Sequence, residues 1–116
     1  MAIEELIISY LKEQDIPGIG AHVYAETPVD PPDNFVLIRR TSGSMANYIR
    51  DFAVYTETVS KTDKLQAIRN HEAVIEAMLR MPDTENVYRC RLNSDYDATQ
   101  PSKLDYRFQA LWQISA

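Results

Sequence analysis

Asn34–Ser60 reads NFVLIRRTSGSMANYIRDFAVYTETVS, and the fold class turns on it. NFVLIRRT and RDFAVYTETVS are rich in β-branched and aromatic residues, so both read as strands. About ten residues, Thr41 to Arg50, join them, whereas a parallel crossover takes a dozen or more. The two strands therefore form an antiparallel hairpin. NFVLI is almost wholly apolar, as in a strand covered on both faces, or covered on one and shared with a partner on the other.

Working outward, AHVYAE (Ala21–Glu26) reads as a short strand with Ala21, Val23 and Ala25 on one face. ETPVDPPDN is a rigid connection into the hairpin. Before them, Ile3, Leu6, Ile7, Tyr10 and Leu11 recur at helical spacing and predict a helix over Ile3–Gln14. DIPGIG then stops it, since Pro17 cannot continue a helix. After the hairpin, SKTDKLQAIRNHEAVIEAMLRM predicts the longest helix. Ser60 is its expected N-cap, and Leu65, Ile68, Ile75 and Leu79 form its apolar stripe, widened by Val74 and Met78. VYRCRLN (Val87–Asn93) is a fourth strand, SDYDATQPS a turn-rich loop, and Leu104–Ile114 the last strand, with Leu104, Tyr106, Phe108, Ala110, Trp112 and Ile114 on one face.

The expected order is α-β-β-β-α-β-β. The strands come in runs and do not alternate with helices, so the class is α+β: an antiparallel sheet with two helices packed on one face. Residues 1–116 are expected to make one domain, long enough for a core without staples. The one cysteine, Cys90, allows no intrachain disulfide, and MAIEELIISYLKEQ is too interrupted by charge for a secretory h-region or a membrane span.

Chemistry is scarce. The three glycines cannot build a P-loop, a dinucleotide fingerprint or a nucleophile elbow. His71 sits at the edge of a helical stripe and reads as packing, not as a ligand. Asp95, Asp97 and Asp105 lack the glycine and glutamate positions of a calcium loop. No catalytic, cofactor or metal residue is expected, and no enzyme. The net charge of −5 argues against a dedicated nucleic-acid binder. An alternative keeps that reading open: a small nucleic-acid module using Arg39, Arg40 and Arg50 with Arg89, Arg91 and Arg107, which alternation places on the polar sheet face.

The Thr41–Arg50 connection is longer than the usual hairpin loop and carries Met45, Tyr48 and Ile49 between Arg39, Arg40 and Arg50. One glycine and no helix start cannot cradle a phosphate. Ordering ten residues costs about 1–2 kcal/mol each in backbone entropy. A partner surface offsets that cost, so Arg39, Arg40, Met45, Tyr48, Ile49 and Arg50 are expected to form a protein-interaction arm.

The Pro-rich connection into FVLIRRTSG, the passage DFAVYTETVSKTDKLQAIRNHEAVIEAML and the closing DYRFQALWQIS together resemble the tail terminator (tail completion) proteins of long-tailed phages. The resemblance implies a non-enzymatic virion protein, assembled in the host cytoplasm, that caps the head-proximal end of the tail tube. It implies a hexameric ring, with a monomer in solution also compatible. Its partners would be the tail tube protein and the head connector or stopper. DNA would pass through the lumen without specific binding, which suits the acidic balance of the chain, because a negative wall repels the phosphate backbone. A head-completion or stopper protein of the neck is the alternative within the same setting.

Overall fold

In a computed structural model the chain is described over residues 2–46, 49–84, 87–100 and 104–116, with the backbone alone for 45, 46 and 49. Helix α1 (Ile3–Glu13) is followed by strands β1 (Val23–Tyr24), β2 (Asn34–Ala46) and β3 (Ile49–Ser60). Helix α2 (Lys64–Leu79), a 3-10 turn at Met81–Asp83, and strands β4 (Arg89–Asp97) and β5 (Tyr106–Ser115) complete the order. The strands make a five-stranded sheet in the order β1-β2-β3-β5-β4. The α+β class and the order of elements stand as expected.

The sheet is mixed, not wholly antiparallel. Val23 and Tyr24 pair with Val36 and Leu37 in parallel, while the β2/β3, β3/β5 and β4/β5 pairs are antiparallel. The Pro-rich connection carries the chain back to the start of β2, which is feasible because β1 is only two residues long. Ala21 and Ala25, expected in that strand, are exposed and lie outside it.

Both helices pack on one sheet face. Ile3, Ile7 and Leu11 of α1 and Val74, Ala77 and Met78 of α2 meet Val36, Ile38, Val54, Trp112 and Ile114 in the main core. The Tyr10 hydroxyl ties the helices together by donating to the Ala77 carbonyl at 2.7 Å. On the opposite face Phe35, Leu37 and Val59 form a second small cluster with Tyr24 against it. NFVLI is thus buried on both faces.

Helix α2 corrects two expectations. Its N-cap is Asp63, whose carboxylate accepts from the Leu65 N–H at 3.0 Å, and Ser60 is the last residue of β3. Its buried stripe is Ala67, Asn70, His71, Val74, Ala77 and Met78, while Leu65 and Leu79 are exposed. Polar Asn70 and His71 can occupy that stripe because each has a partner. Asn70 Oδ1 accepts from Gln66 Nε2 at 2.7 Å, and His71 Nε2 lies 2.5 Å from Asp95 Oδ1. That carboxylate is available because β4 continues through SDYD to Asp97, where a turn was expected. Leu104, expected in the last strand, precedes it and is exposed.

Candidate assembly surface

Most of the ten-residue connection expected between β2 and β3 is strand. The pairing runs Arg40↔Val54, Ser42↔Ala53, Gly43↔Phe52, Ser44↔Asp51, Met45↔Arg50 and Ala46↔Ile49, with a register shift between Arg40 and Ser42. Small hydroxyl residues and one glycine suggest a loop, but Asp51 and Phe52 also pair with Ser115 and Ile114, so β5 backs the arm. The Ser115 hydroxyl donates to Asp51 Oδ1 at 2.5 Å. The Arg50 N–H donates to the Ala116 carbonyl at 3.0 Å, and the Ala116 N–H donates back at 2.9 Å.

The arginines frame the base of this hairpin arm. Arg40 Nε lies 3.1 Å from Glu4 Oε1, an ion pair that fastens β2 to the first turn of α1. Its guanidinium carbon stands 5.6 Å from the centre of the Phe52 ring, and that of Arg50 stands 4.8 Å from it. Each such cation–π contact contributes about 0.5–1 kcal/mol at an exposed site. Gly43 makes room for the ring: a Cβ there would lie 3.3 Å from Phe52 Cδ1. Arg40, Gly43, Ser44, Arg50 and Phe52 together line an open hollow of about 380 Å³. Arg39 is exposed opposite Tyr55. Of the six expected arm residues, Arg39, Arg40 and Arg50 are thus placed. Met45 and Ile49 occupy paired positions in the backbone, and Tyr48 lies outside the described residues.

A second polar feature crosses the opposite face. Arg107 donates from Nε and Nη2 to the two Asp105 oxygens at 3.0 Å each. Its Nη1 donates to Glu57 Oε1. Gln109 Nε2 donates to Glu57 Oε2, and the Tyr96 hydroxyl donates to Gln109 Oε1. The Asp105 hydrogen bonds, and then those to Glu57, hold the Arg107 pKa above its ordinary value against the cost of burial. Sequence alternation puts Arg107 on this face but cannot supply its partners, which depend on the β3/β5 register.

This network removes Arg107 from any basic strip. Arg89 and Arg91 pair with Ser115 and Gln113, roughly 26 and 20 Å along β5 from Arg107 at ~3.3 Å per residue. Among the described residues no group of three His, Cys, Asp or Glu could hold a metal ion. His71 is buried against Phe108, with ring centres 5.7 Å apart.

Burial pushes the Cys90 thiol up to about 12, so the reactive thiolate is scarce in the folded protein. We expect Cys90 to resist iodoacetamide at mildly alkaline pH until the protein is unfolded in denaturant. Mass spectrometry of the alkylated fraction against time checks this, and rapid native labelling would contradict it.

No protein-family model matches the sequence, and a comparison with curated proteins also finds no match. Among solved structures, the fold is similar to a chain in the virion of a native gene transfer agent (GTA) particle. The TM-score is 0.65 at 10% identity, over 99% of this chain and 84% of that one. At this identity the likeness is one of fold.

Proposed function

We propose that this chain is a structural virion protein of a phage-like particle, acting by assembly and not by catalysis. In this reading it caps the head-proximal end of the tail tube as a ring, ends tube growth and offers a surface to the head connector. The observation that carries the reading is the whole-chain likeness of fold to a chain of a gene transfer agent virion. The resemblance of FVLIRRTSG and DYRFQALWQIS to tail terminators agrees with it. The hairpin arm supplies the contact: a two-stranded projection with exposed Arg39, Ser42 and Ser44, braced at its base by Arg40, Phe52 and Arg50. The ring, its hexameric number and its place in the virion belong to this proposal. So does the passage of DNA through the lumen.

The test shortens the arm without touching the core. Replacing Met45–Arg50 by Asn-Gly keeps the Ser44/Asp51 pair as the closing rung, and Asn-Gly is a favoured two-residue hairpin turn. We expect a folded protein by circular dichroism, but a loss of infectious or transducing titre and tails of uncontrolled length by electron microscopy. Full titre with tails of normal length would remove the arm from the mechanism. Tails of normal length that fail to join heads would favour the neck-protein reading. A nucleic-acid module would instead bind oligonucleotides with a steep salt dependence, and the separation of Arg107 from Arg89 and Arg91 speaks against it.

A further inference from the structure

The sheet has two free edges, and they match. On one side β1 covers β2 only at Val36 and Leu37, which leaves Ile38–Ala46 without a neighbouring strand among the described residues. On the other side β4, Arg89–Asp97, is the terminal strand and is mostly exposed. Each free edge is nine residues long, about 30 Å at ~3.3 Å per residue. Free edges of this length are ready templates for another strand.

The backbone alternation identifies the outward groups. Ala116 and Arg50 exchange hydrogen bonds, so the even residues of β5 face β3 and the odd ones face β4. On β4 the residues turned outward are therefore Cys90, Leu92, Asp95 and Asp97. On β2 the Lys61 N–H donates to the Asp33 carbonyl and the Val36 N–H to the His22 carbonyl. Ile38, Arg40, Gly43 and Met45 accordingly turn outward beyond β1. Both strands carry one irregularity, between Arg40 and Ser42 and between Leu92 and Ser94. An antiparallel register with Asp97 opposite Ile38, Asp95 opposite Arg40, Leu92 opposite Gly43 and Cys90 opposite Met45 sets the two irregularities against each other. It also brings the acidic end of β4, Asp95 and Asp97, onto the face of Arg40. Within one chain β2 runs antiparallel to β4, so copies added head to tail need no reversal of direction.

We infer that the partner of each edge is a second copy of this chain: β4 of one subunit pairs antiparallel with the arm strand β2 of the next, continuing the sheet from subunit to subunit. Because the two edges differ, the contact is head to tail, and a closed ring satisfies every edge. The inference rests on the proposed function for its setting, while the matching of edges stands on the fold alone.

Proline tests it, because at an outward position it deletes a hydrogen-bond donor that the chain itself does not use. Sedimentation of the wild-type protein at its highest soluble concentration should show oligomers. Leu92→Pro and Met45→Pro should each remain folded by circular dichroism and run as monomers. Mixed in equal amounts, they should form a one-to-one dimer through the two intact edges. A monomeric wild-type protein would mean that the charges and irregularities merely protect the edges, and would overturn the inference. So would retained oligomers in either variant, or a mixture that stays monomeric. Should a proline variant not fold, charge reversal replaces it. Asp97→Arg and Arg40→Asp, which share the helix-covered face in this register, should each weaken self-association and together restore it, whereas additive weakening would count against the pairing. These are solution measurements on the free protein, so a failure here leaves the titre and tail-length test of the arm standing.

Discussion

Replacing Trp112 with alanine should cost about 3–5 kcal/mol of folding stability, a large share of the about 5–15 kcal/mol typical of a whole domain. The side chain is fully buried and is the largest to be so. It projects from β5 between Val54 of β3 and Leu92 of β4, its partners across the sheet. Both helices close over that face, so the site cannot collapse easily and the vacated volume remains as a cavity. The indole also donates from Nε1 to Thr56 Oγ1 at 3.2 Å, and Thr56 is itself fully buried. Trp112→Phe separates these contributions. It keeps most of the apolar volume and loses the hydrogen bond, for an expected loss of about 1–2 kcal/mol. Urea unfolding followed by far-ultraviolet circular dichroism measures both. A loss below 1 kcal/mol for the alanine variant would mean that this residue does not anchor the core.

Trp112 was legible in the sequence because YRFQALWQIS alternates through it with only Leu111 breaking the polar side, and one face of a strand must then be the core face. Residue type and periodicity placed the start of β2 and, to within one residue, both ends of β3 and of α1, while the end of β2 lies five residues beyond the expected Thr41. Periodicity failed where a polar residue takes a core position. Ala67, Asn70, His71, Val74, Ala77 and Met78 have good helical spacing, but two are polar and two are alanine. The larger Leu65 and Leu79 outweighed them. What decides the rotation of α2 is that Asn70 and His71 find partners in Gln66 and Asp95. The carboxylate of Asp95 comes from a segment whose own composition reads as a turn.

SDYD shows the limit most clearly. Asp, Asn and Ser are poor strand formers in isolation, yet these residues pair with Phe108–Leu111 of β5. A strong strand next door overrides the local preference. In the arm, the length of the connection and its framing arginines were legible. Its extension as a paired hairpin was not, because the register shift after Arg40 and the backing by β5 are tertiary facts. The arginines themselves divide between functions that sequence cannot separate: Arg40 is tied to Glu4, while Arg39 remains exposed.

Arg107 gives the second large expected effect. Its side chain is 15% exposed, and those of Glu57 and Asp105 are 10% and 17% exposed. Arg107→Met would leave two largely buried carboxylates without a counter-charge, and breaking a buried pair in this way costs about 3–5 kcal/mol. Most of that loss is the price of stranding the acids, not the worth of the ion pair. Adding Glu57→Gln and Asp105→Asn to Arg107→Met should therefore recover much of the stability, although it removes more polar contacts. Denaturation curves of wild type, single and triple variants at neutral pH supply the comparison. If the triple variant is as unstable as Arg107→Met, the network contributes through its hydrogen-bond geometry across β3, β5 and β4 and not through charge balance.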